Sequence, residues 1–231
     1  VHPRTVLLAP SAAGLVKDLE GQTTRTITSN DLAFHTLRPY EPGDDRRYIH
    51  WRTTARTGTI MVRQFEETRR SDLVLLHHGE RRSWLDPDSD DPESEFELGV
   101  SIAASIGVQT VRDGTRARVL GEEGELRTAT IGSLLDDSCR LRPAQRFASP
   151  REFARDATAL LAPPAVVIVV TGSLTPIGDL RAIETVFAPG TEILAIRAVV
   201  GADARLQTVS RLRVLTVGAL GDLPKLLRRV A

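Results

Sequence analysis

The sequence predicts an α/β protein whose mainly parallel sheet carries helices on both faces, preceded by a small β-rich segment. Residues 73–76 and 165–170 are continuous apolar runs, which are typical of strands buried on both faces of a sheet. From residue 72 to the end, strand-like and helix-like segments alternate, as they do in a parallel sheet with crossover helices. We therefore expect a β-rich segment over residues 1–71 and an α/β domain over residues 72–231.

The individual elements follow from apolar spacing and capping residues. A helix is expected over residues 96–111, where apolar residues recur near one face, and another over residues 150–161, with Ser149 as its N-cap. Residues 117–120 and 125–130 are expected to form an edge pair of strands. The other expected elements are strands over residues 4–9, 59–65, 192–200 and 212–217, and helices over residues 179–187 and 220–230.

Composition and charge narrow the possible classes of function. The formal net charge is zero over 231 residues, which argues against a dedicated nucleic-acid-binding protein. Cys139 is the sole cysteine and has no activating histidine beside it, so it is interpreted as a structural thiol in a reducing compartment. No apolar run reaches the roughly 18 residues of a membrane helix. Residues 83–126 are rich in Asp and Glu, which indicates either a solvated region or a surface for a basic partner or a cation.

Residues 34–66 combine arginines, carboxylates and large aromatic side chains. Arginine binds carboxylates bidentately, which favours an internal ion network in which Trp51 packs on the sheet. In this network Arg47 and Arg56 are expected to be internal, and Arg52 and Arg46 to be exposed. The second interpretation is a docking surface for a partner protein. Phosphate binding is a third, but no glycine-rich loop supports it. The residues singled out are Arg38, Tyr40, Gly43, Asp44, Arg47, Trp51, Arg52, Arg56 and Arg63.

At its fixed spacing this segment resembles the signature of the domain-of-unknown-function-58 family. The matching positions are Leu37, Arg38, Tyr40, Pro42, Gly43, Asp44, Arg47, Ile49, Trp51, Ala55, Arg56, Val62, Arg63 and Glu66. The resemblance implies a von Willebrand factor A-like (Rossmann-like) fold for residues 72–231. It also implies a protein anchored in the cell membrane by helices upstream, with its soluble domain on the cytoplasmic face, which acts with a MoxR-type AAA+ ATPase as its protein partner.

The resemblance also implies where a metal ion would lie. In von Willebrand factor A-like domains the ion is held by a D-x-S-x-S pattern after the first buried strand and by an Asp after a later strand. Here the pattern falls on His77, Gly79 and Arg81, and the later strand ends at Thr171 without a carboxylate. Hard cations require oxygen ligands, so we expect a degenerate metal site and no cofactor. His77 and His78 are adjacent on a strand and are not expected to share an ion, because their side chains point to opposite faces.

The sequence contains no P-loop, dinucleotide fingerprint, nucleophile elbow or H-E-x-x-H motif. The leading hypothesis is therefore a non-enzymatic protein-interaction or adaptor module. The alternative is a small-ligand-binding or catalytic α/β domain that uses the strand ends near His77 and Thr171, since α/β sheets bind ligands outside the carboxyl ends of their strands.

Overall fold

The fold was analysed in a computed structural model. The structure describes residues 2–8, 32–41, 44, 49–67, 73–89, 91, 93–145, 148–159 and 161–230, with the backbone alone over 32–36 and 63–67. By their contacts, residues 24–70 form one compact unit, and residues 1–23 with 71–231 form the other. Residues 1–23 thus group with the α/β unit, whereas we expected them in the β-rich segment from the sequence.

The smaller unit is built on two antiparallel strands, β1 (Leu32–Pro39) and β2 (Met61–Glu67). Helix α1 (Trp51–Thr57) lies between them in the chain. It ends at Gly58, whose φ of 70° is the left-handed conformation that glycine adopts readily at a helix C-cap. The strand expected over residues 59–65 is present as β2, which begins at Met61. Trp51 begins the helix.

A seven-stranded sheet forms the centre of the larger unit. Its strands are β3 (Leu73–His77), β4 (Ala117–Gly121), β5 (Gly124–Leu126), β6 (Val166–Thr171), β7 (Glu192–Ala198), β8 (Arg205–Val209) and β9 (Leu212–Val217). They lie in the order β5-β4-β3-β6-β7-β9-β8. The five inner strands are parallel, and the edge strands β5 and β8 are antiparallel to their neighbours. The predicted mainly parallel sheet is confirmed.

Helices cover both faces of this sheet. Within the described part of the larger unit they are α2 (Glu95–Arg112), α3 (Ile131–Ser138), α4 (Pro150–Thr158), α5 (Ile177–Ala182) and α6 (Leu223–Val230). Leu73 and Leu75 of β3 pack in one core with α2, α3 and α6, while Val74 and Leu76 pack in a second core with α4 and α5. This alternation follows from the two-residue period of a strand.

Local capping explains which helices the sequence predicted. Ser149 and Glu152 form a capping box at the start of α4, with each side chain accepting a hydrogen bond from the other residue's backbone N–H. The helix expected from residue 150 is therefore confirmed, ending at Thr158. Helix α3 was not anticipated, because its capping box uses Thr130 and Ser133 and so lacks the acidic or amide residue that usually marks this motif.

Residues 2–8 lie beside α2. The backbone N–H of Val6 donates to the hydroxyl of Ser105 at 3.1 Å, and Leu8 is buried in the core on that face. The strand expected over residues 4–9 is not present in residues 4–8, which belong to no sheet. Among the described helices, none has both the length and the apolar character required to cross a membrane.

Candidate functional site

The first candidate site lies where β3 and β6 end. These neighbouring parallel strands are the first and third parallel strands in chain order. After β3 the chain enters α2 on one face of the sheet, and after β6 it enters α5 on the other face. Such a switch point opens a crevice at the carboxyl ends of the strands, where α/β sheets bind their ligands.

In this chain, the crevice is filled by Ser83 and Trp84. Trp84 is 1% exposed. A β-carbon at Gly172 would lie 2.8 Å from the Cα of Trp84 and closer still to the carbonyl oxygen of Ser83. A β-carbon at Gly99, on α2, would collide with the indole ring itself. Glycine at both positions therefore allows the loop after β3 to close over the strand ends.

Trp84 is held by a hydrogen bond and by two aromatic neighbours. Its indole N–H donates to the carbonyl oxygen of His78 at 3.0 Å. The ring stacks on His77 at a centroid distance of 5.4 Å and meets Phe96 edge-on at 5.1 Å. Burial, with a smaller contribution from neighbouring His78, lowers the pKa of His77 to about 3. His77 is therefore a neutral stacking partner of Trp84, and its buried Nε2 atom has no hydrogen-bond partner among the described residues.

His78 points to the opposite face of the sheet, as its adjacency to His77 predicted. Its Nε2 atom lies 2.8 Å from the carbonyl oxygen of Ala148, and its Nδ1 atom lies 3.3 Å from the hydroxyl of Thr171. Burial lowers the pKa of His78, so this ring is also held neutral. The hydroxyls of Thr171 and Thr175 are 2.6 Å apart. These groups form hydrogen bonds with one another and make up a buried polar layer beneath the loop.

The carboxylate of Glu95 joins the two loops that meet over the crevice. Although it is 5% exposed, it accepts hydrogen bonds from the backbone N–H of Leu85 at 2.6 Å and of Ser173 at 3.1 Å. The backbone N–H of Leu174 donates to the carbonyl oxygen of Ser83 at 3.0 Å. Glu95 thus lies where α/β domains place an anionic ligand, at the N-terminus of a helix.

The positions predicted to form a degenerate metal site lie near these strand ends, and each of them makes other contacts. His77 stacks on Trp84, and the carbonyl oxygen of Gly79 accepts a hydrogen bond from the backbone of Ala144. Arg81 pairs with Asp88, and Thr171 bonds within the buried layer. Among the described residues, no group of three or more His, Cys, Asp or Glu side chains could hold a metal ion.

Three large exposed apolar side chains follow the strands that end at this edge of the sheet. Leu85, Leu174 and Val200 are each more than half exposed. They follow β3, β6 and β7 respectively, which are adjacent strands whose carboxyl ends share one edge of the sheet. Asp86, next to Leu85, has a φ of 46°, a strained conformation for a residue other than glycine. We call these three side chains the carboxyl-edge patch.

The second candidate site is the signature segment in the smaller unit. Arg38 binds both carboxylate oxygens of Asp44, at 2.8 and 2.6 Å. This bond holds the pKa of Asp44 below its ordinary value, and Asp44 also accepts from the backbone N–H of Glu41 at 2.8 Å. The predicted bidentate pairing is therefore confirmed for Arg38. The backbone N–H of Tyr40 bonds to the carbonyl oxygen of Ile60, and the Tyr40 side chain is half-buried.

The other signature residues divide differently from the prediction. Trp51 is 66% exposed, so its expected packing on the sheet is wrong. Arg56 is exposed, which contradicts its assignment as an internal clamp, whereas the predicted exposure of Arg52 is confirmed. Both corrections have one cause: residues 51–57 form a short helix, and Thr54, not the tryptophan, bonds to β2. Gly43, Arg46, Arg47 and the side chain of Arg63 lie outside the described residues.

Sequence reasoning missed the two residues that close the crevice. Trp84 and Glu95 lie within residues 83–126, which were interpreted as a solvated region or a partner surface because they are rich in Asp and Glu. A tryptophan in such a stretch is itself a signal, because its large apolar area favours burial. No comparable signal in the sequence predicts that Glu95 is buried.

Fold and site together define a doubly wound α/β protein with a closed strand-end crevice, joined to a small arginine-rich unit. Over residues 36–218 the chain matches the family described as protein of unknown function DUF58, and it belongs to that family. It is also similar to the uncharacterized protein YeaD of Bacillus subtilis (strain 168), with 34% identity over 82 residues. That match covers 36% of this chain and 18% of the relative. No solved structure matches the chain.

Proposed function

We propose that this chain is a non-enzymatic protein-interaction module with a von Willebrand factor A-like fold, which binds its partner through the carboxyl-edge patch. The observation that carries the proposal is the pairing of a filled crevice with exposed leucines that follow the strands ending there. A small ligand would need Ser83 and Trp84 to leave their places, whereas a protein surface could bind without that rearrangement. Exposed apolar patches often mark protein interaction sites.

The patch is pre-organised for binding. The backbone of Leu85 is bound to Glu95, and that of Leu174 to Ser83. Two loops from different strands are therefore fixed against each other before any partner arrives. Pre-organisation of this kind favours binding because less conformational entropy is lost on association.

The partner and location come from the family resemblance. We propose a MoxR-type AAA+ ATPase as the partner and an adaptor role for this chain. We further propose that the full-length protein is anchored in the cell membrane with this part on the cytoplasmic face. Recovery of full-length protein in the membrane fraction after carbonate washing would support the anchor, and its release would contradict it.

The proposed contact is tested by binding to the MoxR-type ATPase encoded in the same genome. Leu174→Ser and Leu85→Ser should each raise the Kd at least tenfold, about 1.4 kcal/mol, because each removes an apolar anchor. Ile60→Ser is the matched control, since Ile60 is an exposed apolar residue of the smaller unit. The proposal fails if the wild-type chain does not bind the ATPase, or if both leucine variants bind as tightly as wild type.

A further inference from the structure

Helix α1 displays an aromatic and cationic surface that its own fold does not use. Trp51, Arg52, Ala55 and Arg56 are all exposed, and no residue of the helix is buried. Trp51 and Ala55 are four residues apart, as are Arg52 and Arg56, so the four side chains form two neighbouring stripes along the helix. We call these four residues the α1 surface.

The helix itself is firmly held from its other side. The Nδ1 atom of His50 accepts from the backbone N–H of Thr53 at 3.3 Å, which caps the N-terminus. The hydroxyl of Thr54 accepts from the backbone N–H of Met61 at 3.0 Å, which ties the helix to β2. Gly58 ends it in a left-handed cap. The α1 surface is therefore presented on a fixed backbone, although none of its four residues is buried in the fold.

Among the described residues, no carboxylate pairs with the cations of the α1 surface. Within the described part of the chain, neither Arg52 nor Arg56 makes an ion pair or a hydrogen bond through its guanidinium. Arg38 shows the contrast, because both oxygens of Asp44 bind its guanidinium. The unit over residues 24–70 contains nine arginines, no lysine and six carboxylates, which gives a formal charge of +3 in a chain whose net charge is zero.

We infer that the α1 surface is a second docking site, which binds an acidic segment of a partner protein. The indole of Trp51 is the apolar anchor, and the guanidiniums of Arg52 and Arg56 bind carboxylates beside it. Tryptophan and arginine are the residue types most often found at interaction hot spots. A positive surface selects an acidic partner, since opposite charges speed encounter and like charges suppress wrong partners. This inference rests on the proposed function only in taking the chain to be an interaction module.

Site-specific photo-cross-linking in cells tests the inference on the full-length protein. p-Benzoylphenylalanine replaces Trp51 in one variant and Leu174 in a second, so that the two surfaces are probed separately. Irradiation at the Trp51 position should attach peptides with a net negative charge. Adding Arg52→Glu and Arg56→Glu should lower that yield at least tenfold, whereas the same change at Arg228 and Arg229, which are exposed on α6, should leave it unchanged.

Each outcome decides between the two surfaces. Cross-links from the Leu174 position alone would overturn the α1 inference and leave the proposed function standing. Cross-links from neither position would overturn both. Attachment of lipid, or of neutral or basic peptides, to the Trp51 position would overturn the acidic docking site. A yield that charge reversal at Arg52 and Arg56 does not change, with the helical circular dichroism preserved, would do the same.

Discussion

Replacement of Trp84 by alanine should be among the most destabilising single changes in this chain. A buried tryptophan removes about 200 Å² from water, which at about 25 cal/mol per Å² contributes about 5 kcal/mol. Its hydrogen bond to His78 adds about 1 kcal/mol. Alanine retains part of this burial and the site relaxes partly, so we expect a net loss of about 3–5 kcal/mol of unfolding free energy.

Two related variants separate the contributions. Trp84→Phe keeps an aromatic ring between His77 and Phe96 but leaves the buried carbonyl of His78 without its donor, so we expect a loss of about 1–3 kcal/mol. Trp51→Ala is the matched control on an exposed tryptophan, and its effect should stay within about 0.5 kcal/mol. Urea unfolding followed by circular dichroism gives all of these values on one scale.

The same variants provide an independent optical test, because the chain has two tryptophans. Trp51→Ala leaves Trp84 as the sole emitter, which should emit at short wavelength and resist quenching by acrylamide. Trp84→Ala leaves Trp51, which should emit near the wavelength of free indole in water and be quenched readily. Equal stability losses in both alanine variants, or an exchange of the two emission spectra, would refute this account of the crevice.

Three further predictions concern the same region. Gly172→Ala should lower stability by about 1–3 kcal/mol because its methyl group collides with the neighbouring loop, whereas Gly178→Ala, in open space on α5, should be neutral or slightly stabilising in the same melting experiment. The unfolding free energy should decrease as pH falls from 6.5 toward 3, because His77 binds a proton in the unfolded state before it does so in the folded state. The loss from His77 should reach at most about 1.4 kcal/mol per pH unit. An unfolding free energy that stays constant between pH 6.5 and 4.5 would contradict the burial of His77. Glu95→Gln should lower the unfolding free energy by about 1–3 kcal/mol, measured by urea unfolding, because two backbone donors lose a charged acceptor. Glu97→Gln is the control, since Glu97 lies two residues further along the helix and is less buried. It should change stability by no more than about 0.5 kcal/mol.

The sheet could be predicted from the sequence because its strands carry their own signal. Runs such as residues 73–76 and 166–170 are apolar at every position, and only a strand covered on both faces requires that. Strand β8 carries no such signal. Its residues are mostly exposed or half-buried at the border of the sheet, so their polarity resembles that of a loop.

The candidate sites were harder to predict because they depend on contacts between distant parts of the chain. Trp51 and Trp84 are the same residue type, and the sequence favoured burial of the wrong one. The difference arises from Gly99 and Gly172, which leave room for Trp84, and no local pattern links those positions to it. The pairing of Arg38 with Asp44 was accessible to sequence reasoning because the two residues are only six positions apart.

The borders of the sheet bear on how the protein behaves when it is concentrated. Unpaired strand edges offer backbone donors and acceptors to other chains, and long flat edges promote aggregation. Here β5 presents only three residues, and β8 presents five, beginning with the exposed, charged Arg205. The long apolar strands lie inside, shielded on both sides by these short antiparallel neighbours. When molecules are crowded together, the seven-stranded sheet therefore offers no long apolar edge on which another sheet could add.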